Sequence, residues 1–566
     1  MKNILVLLMG TALLVSCQNG NREQEMKKFI ANYVAAVKPL EKQANLAEWD
    51  ASVTGDNAKY KQASELELKL TAIRSSKSDF KKIKDFLKED IKDPVLKREM
   101  EVLYETFAPN QGDPALLKQI IEKQSAVEQK FNTFRATLND KAVPDNELKS
   151  ILKTEVTDMA KRQKAWEATK QIGAEVAPDI IELARLRNKL AKSLGYDNYF
   201  QMSLALSDLN DKELVALFDQ LDDMIRDEYR AVKQEMDAIQ AKKYNIPSDK
   251  LMPWHYEDPF FQEGVSLDSL DLDKLYAGKD VAAIAKQFYS GIGLDVESVL
   301  KRSSLYEQPG KMQHAFSTDI DHEQDVRILT NLKPDAEWMD TILHELGHAM
   351  YDKYLGSDLP YLLREPAHSF TTEAIAMMFG RQAKNPEFLK TYCGIDEKTA
   401  EKIAPELYKS TKFQQLTFSR WCQVMMRFEK ALYENPDRGL DYFNKLWWQL
   451  KEKYQLLNKP EGRNNPDWAS KIHIAIYPVY YQNYMMGELL ASQFQSYIAG
   501  HILKSNNIRQ AFLGGNPAIG TFLKTKVFAP GARYKWNEMI ERATGEKLTP
   551  THYRDQFIGG EATRNK

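Results

Sequence analysis

Pro334-Asp335-Ala336-Glu337-Trp338-Met339-Asp340-Thr341-Ile342-Leu343-His344-Glu345-Leu346-Gly347-His348-Ala349-Met350 decides how this chain is read. Asp335 follows a proline and can cap a helix, with Glu337 in its first turn. Met339, Ile342, Leu343, Leu346 and Met350 recur at helical spacing and form an apolar stripe. Gly356 and Pro360 then supply stop signals. The spacing therefore predicts a long helix with a core face, carrying His344-Glu345-Leu346-Gly347-His348. Positions i and i+4 share a helix face, so both imidazoles can reach one zinc ion. The glutamate beside the first histidine can serve a water as general base.

A catalytic zinc site needs a third protein ligand and an open fourth position. Glu373 is the candidate, 25 residues beyond His348, in Ser369-Phe370-Thr371-Thr372-Glu373-Ala374. That spacing lets one helix end and a second return a carboxylate. Glu365 and His368 are rivals, closer to the break at Pro366. Six of the nine histidines fall between His314 and His473, which concentrates metal and proton chemistry in this half of the chain.

Outward from this motif, most of the sequence keeps helical periodicity: residues 75–105, 112–140, 145–172, 178–206 and 211–243. Residues 245–270 interrupt it with Pro247, Pro253, Pro259 and an aromatic cluster, and read as a long ordered loop. Residues 311–332 are the one place where a hairpin is expected, from Met312–Phe316 and Val326–Leu329. Residues 459–468 read as a second loop. A helix is expected from Pro478 to Ile498, with Tyr477, Tyr481, Tyr484 and Glu488 on one face. Buried phenols need partners, so this stripe, preceded by Lys471 and His473, suits a binding wall better than a dry core.

The whole chain has 566 residues, of which only 26 are Gly and 22 Pro. Such scarcity argues against a turn-rich β protein and favours helix. The formal net charge of −2 gives no electrostatic case for nucleic acid. Three cysteines exclude a disulfide framework, and pairing of Cys393 with Cys422 is left open. Lys2 followed by the apolar Ile4–Val15 reads as an export signal, too short to span a bilayer. It ends in Leu14-Val15-Ser16-Cys17, which resembles a bacterial lipobox; a plain secretory signal is the alternative. The expected organisation is a signal peptide over 1–16, a lipidated tether over 17–25 starting at Cys17, and one catalytic domain over 26–560.

Four separated stretches resemble the angiotensin-converting enzyme family of zinc peptidyl-dipeptidases, and after it the thimet oligopeptidase family. They are Ala47–Ala58, His314-Ala315, His344–His348 with Glu373, and Trp447-Trp448-Gln449-Leu450 through Lys453-Tyr454-Gln455 and Arg463-Asn464 to Lys471-Ile472-His473. The resemblance implies an all-α fold, with two helical halves enclosing a deep substrate groove and a small β-hairpin at its edge. It implies one zinc ion on His344, His348 and Glu373, with Glu345 polarising the water and Tyr484 stabilising the oxyanion. His473 and His314 would hydrogen-bond the substrate carbonyl, and the backbone of Ala315 would pair with the extended peptide. Lys471, helped by Tyr481, would grip the free C-terminal carboxylate and so fix cleavage two residues from the end. The implied function is release of C-terminal dipeptides from oligopeptides at a bacterial cell envelope, lipid-anchored towards the periplasm or cell surface. The alternatives are a thimet-type oligoendopeptidase and an inactive peptide-binding lipoprotein.

The chain departs from the family pattern in several places. One extra residue follows His473, so Tyr480 competes with Tyr481. Glu373 lies one residue farther along than expected. Met377 stands where an acidic residue would steady a zinc-bound histidine. Asn483 and Lys451 replace arginines, which argues against chloride activation. The usual disulfide cysteines are missing. The glutamine that helps hold the carboxylate is not identified, the Trp254-His255-Tyr256 loop being only a rough match.

Overall fold

Aspartates before prolines start two of the described helices: Asp93 and Asp113 cap Pro94–Phe107 and Pro114–Thr133 by accepting from the first free amides. The computed structural model describes residues 2–155, 157–267 and 270–559, with side chains from residue 22 onward. The described chain is all-α apart from two small antiparallel hairpins. The expected helical stretches are present, cut into shorter helices at such caps. The export segment and Cys17 lie outside the residues whose side chains are described. Among the described residues, no helix is long and apolar enough to cross a membrane.

The first hairpin, β1 (Ala136–Leu138) and β2 (Lys141–Val143), falls where helix was expected to run on to residue 140. Asn139 and Asp140 both adopt left-handed φ, 50° and 59°. This pair is the two-residue turn that matches strand twist, and both residue types tolerate it. The second hairpin, β3 (Phe316–Asp319) and β4 (Val326–Leu329), confirms the expected later strand. The earlier strand starts at Phe316 instead of Met312. The reason is that the backbone of 312–313 is used elsewhere: Met312 N–H donates to the Ser52 carbonyl, and the Asn331 amide donates to the carbonyls of Met312 and Gln313.

The chain divides into two compact helical units, each assembled from three separated stretches. The first comprises Met1–Gln111, Tyr276–Ala383 and Leu513–Lys547. Its centre is the His344 helix (Ala336–Lys353) packed on the Glu373 helix (Ser369–Gly380). Asp335 caps the former, accepting from Trp338 N–H at 2.8 Å, and Met339, Ile342, Leu343, Leu346 and Met350 are all fully buried. The predicted stripe is thus the core face. Burying five such side chains contributes on the order of 10 kcal/mol before entropy is set against it. The Ala47–Ala58 stretch packs on the β3–β4 hairpin through Trp49, edge-on to Phe316.

The second unit comprises Gly112–Leu275, Lys384–Phe512 and Leu548–Lys566. Its core is aromatic: Trp421 from the Glu397–Glu434 helix, Trp447 and Trp448 from Leu440–Leu450, and Trp468 are all fully buried. Cys393 and Cys422 are buried free thiols. The 245–270 region is ordered as expected, tied down by Arg162, which donates to the carbonyls of Trp254 and Tyr256, and by Trp166, which donates to that of Pro259. The helix expected from Pro478 begins instead at Tyr481 and runs to Tyr497. Val479 is left-handed, with φ of 54°, and its N–H donates to Glu429 at 2.6 Å, which holds the chain out of helix there. Tyr477 is therefore exposed and off the shared face, leaving Tyr481, Tyr484 and Glu488 on the helix.

Candidate metal centre and carboxylate pocket

In the first unit, the helix pair converges three ligand atoms. His344 Nε2 lies 3.2 Å from His348 Nε2, and these lie 3.8 and 3.9 Å from Glu373 Oε2. A point about 2.1 Å from all three atoms exists within that triangle, which is the length of a zinc bond to nitrogen or oxygen. Gly347 makes this approach possible. A Cβ there would stand 2.8 Å from the Ala376 Cα on the facing helix. The donor set and its spacing fit one zinc ion with a fourth position open.

Thr372 supplies the partner that sequence reading did not find. Its hydroxyl lies 2.7 Å from His348 Nδ1. An Nδ1–H donated there leaves Nε2 as the lone-pair nitrogen facing the other ligands. Burial holds His348 well below the usual histidine range, so the ring is neutral, as a ligand must be. Burial also raises the Glu373 carboxyl, and pushes Glu345 up to about 7, with Glu373 adding to the rise and His344 opposing it. Buried carboxyls that resist ionisation alone are the electrostatic counterpart of a site built for a cation.

The rival ligands go elsewhere. His368 caps the Glu373 helix, its Nδ1 accepting from Phe370 N–H at 3.1 Å. Glu365 is exposed and stands 3.6 Å from His322 Nδ1. His314 is exposed and Ala315 half-buried, immediately before β3.

In the second unit, Lys471 Nζ donates to Gln262 Oε1 at 2.8 Å, and the Tyr481 hydroxyl lies 3.5 Å from the same oxygen. Trp421 Nε1–H donates to the Tyr481 hydroxyl at 2.6 Å. Tyr481, not Tyr480, therefore stands with Lys471. Tyr480 stacks edge-on against Tyr484. Gln262, which sequence reading did not single out, is the glutamine that stands beside Lys471 and Tyr481. It follows Phe260-Phe261 at the end of the aromatic loop, the only local signal for it. Burial lowers Lys471 to about 8, with Asp258 opposing. His473 packs against Tyr481 and Tyr484, with ring centroids 5.3 and 6.4 Å away. Burial lowers His473 to about 4, and its Nδ1 is buried without a hydrogen-bond partner.

A profile of the Peptidase_M2 family, described as angiotensin-converting enzyme, matches residues 20–256 and 259–552. The chain belongs to this family. Among its relatives, angiotensin-converting enzyme of Mesocricetus auratus is 22% identical over 554 residues, covering 91% of this chain and 41% of the relative. That of Mus musculus is 22% identical over 590 residues, covering 96% and 44%. The angiotensin-converting enzyme-related protein of Drosophila melanogaster is 21% identical over 415 residues, covering 66% and 64%. The chain spans about two fifths of the length of the first two.

Proposed function

We propose that this chain is a zinc metallopeptidase that removes dipeptides from the free C-terminus of oligopeptides. The observation that carries the exopeptidase reading is the Lys471 ammonium. It is half-buried beside Gln262 and Tyr481 and is hydrogen-bonded to no carboxylate among the described residues. A half-buried lysine in that state has no paired counter-charge, and a peptide's terminal carboxylate supplies one.

Bound by His344, His348 and Glu373, zinc supplies Lewis-acid activation of water and of the scissile carbonyl. Glu345 accepts the water's proton at its carboxylate and returns it to the departing amine. Thr372 fixes the ring of His348. Tyr484 donates its phenolic proton in hydrogen bonding to the developing oxyanion, and His473 hydrogen-bonds the substrate carbonyl beyond it. His314 and the backbone of Ala315 pair with the extended peptide. Remote binding of the carboxylate by Lys471 sets which bond is cut.

Mass spectrometry of products from one peptide, free and C-terminally amidated, with and without a chelator, tests this reading. Successive loss of dipeptides from the free peptide only, abolished by chelation, is expected. Equal cleavage of both peptides at internal bonds would instead establish an oligoendopeptidase. Absence of both zinc and hydrolysis would establish a binding protein.

A further inference from the structure

Lys170 joins the Met159–Thr169 and Gln171–Ser193 helices in the second unit. Its side chain is 4% exposed, and its Nζ is buried with no hydrogen-bond partner. The ammonium instead sits 3.4 Å from the centroid of the Phe260 ring and 5.5 Å from that of Trp166. Phe260 also faces Lys471, whose Nζ lies 5.2 Å from the same centroid. Two ammoniums, that of Lys170 buried and that of Lys471 half-buried, therefore share one aromatic ring, and that ring begins the Phe260-Phe261-Gln262 segment.

The backbone of the segment is held by hydrogen bonds. Asp258 accepts from the N–H groups of Phe260 and Gln262, each at 2.9 Å. Lys451 donates to the Phe260 carbonyl at 2.7 Å and Gln455 to that of Phe261. The ring of Phe260 lies between Lys170 and Trp421, whose ring centroid is 5.5 Å away, two residues before the glutamine that meets Lys471.

The charges around this ring do not balance. Lys170, Lys451, Lys471 and Arg463 face Asp258 and Asp467, with Lys149 and Glu263 farther out around Lys471. Asp467 is occupied by Arg463, at 2.6 and 2.7 Å, and by the Trp448 indole; Asp258 is occupied by backbone amides. Among the described residues, none of the three lysines is paired with a carboxylate of its own. Burial lowers Lys170 to about 7, with Lys471 and Arg463 adding to the fall and the two aspartates opposing it. An anion at Lys471 makes it easier for Lys170 to keep its proton.

We infer that Lys170 is a positioning residue of the carboxylate pocket. Its ammonium clamps the Phe260 ring, sets the segment that presents Gln262 to Lys471, and adds buried positive charge that favours an anionic terminus. This rests on the exopeptidase reading above.

The test uses the full chain with Lys170→Met, which keeps the stem and removes the charge, and with Lys170→Arg, which keeps the charge. KM and kcat are measured between pH 6 and pH 9 for a free peptide, and for its C-terminal amide where the amide is cleaved. Losing one cation–π contact and a nearby charge should raise KM for the free peptide about tenfold in Lys170→Met. Turnover should stay within about twofold, a split expected when only uniform binding is lost. The amide should be unaffected, Lys170→Arg should retain most of the binding, and the rise in KM on passing pH 7 should be lost in Lys170→Met. An unchanged KM, a fall confined to kcat, or equal effects on both peptides would overturn the inference. Should Lys170→Met fail to fold by circular dichroism, Phe260→Leu removes the ring and keeps the charge. It should raise KM selectively for the free peptide, and an unchanged KM there overturns the inference equally. A wild-type enzyme blind to amidation would instead sink the exopeptidase reading itself.

Discussion

Replacing Gly347 by alanine adds one methyl group at the tightest contact of the metal centre. The added Cβ would lie 2.8 Å from Ala376 Cα, 3.1 Å from Ala376 N and 3.3 Å from Ile375 C. All three are backbone atoms, so no rotamer change relieves the clash. Carbon atoms pack at about 3.5–4.0 Å, and the two helices must therefore separate by roughly 0.7–1.2 Å or rotate. Overpacking of this kind costs about 1–3 kcal/mol, while alanine for glycine inside a helix returns about 1 kcal/mol. Net stability should thus fall by about 0–2 kcal/mol, and the protein should still fold. The metal site has less tolerance. Glu373 is one turn from Ala376 on the displaced helix, and ligand distances must hold to about ±0.2 Å. Zinc affinity should fall at least as far as with loss of an outer partner, about 10–100-fold. Competition against a chromophoric chelator measures that affinity, and thermal unfolding of the metal-free protein measures the packing cost. A Gly347→Ala protein that binds zinc as tightly as wild type and melts higher would show that the close approach does not shape the site.

Other expectations follow from single contacts. Thr372→Val keeps shape but removes the acceptor from His348 Nδ1, and zinc affinity should fall about 10–100-fold in the same assay with little change in the metal-free melt. Lys471, lowered to about 8, loses its charge as pH rises through that value, so KM for free peptides should climb above pH 8, by up to about tenfold per unit, with kcat nearly flat. A flat KM to pH 9 would exclude a titrating Lys471 from binding. Glu429, raised to about 8 by burial, is protonated at neutral pH while accepting from Val479 N–H. Glu429→Gln should be near neutral, whereas Glu429→Ala should cost about 1–3 kcal/mol in chemical denaturation. Lipidation at Cys17 predicts that Cys17→Ala releases the chain from the membrane fraction of a bacterial host; retention there would argue against that anchor.

The candidate metal ligands were legible because the geometry of the two histidines is local. His344 and His348 are fixed by one helix, and the Asp335 cap and the apolar stripe declare that helix within a few residues. The Asn139-Asp140 turn was equally local, and was passed over only because helical periodicity runs up to it. Other features depend on partners far along the chain. Strand β3 starts late because Ser52 and Asn331 take the backbone groups before it. The Tyr484 helix starts late because Glu429, 50 residues away, takes the Val479 amide. Gln262 reaches Lys471 across 209 residues, and no spacing rule announces such a pair.

This division has a physical basis. Periodicity encodes which face of an element is buried, and hence the ligand-bearing helices. It does not encode which buried polar group closes on which, since that is decided by satisfying donors and charges after the elements have packed. Lys170 shows the point most clearly. As sequence it is an unremarked lysine near the end of the 145–172 helical stretch, and it acquires meaning only once burial has left its Nζ no hydrogen-bond partner and set it against the rings of Phe260 and Trp166. Lysines that finish folding without a counter-charge are therefore better guides to an anion-binding pocket than lysines counted along the chain, and here Lys170 and Lys471 both point to the same ring.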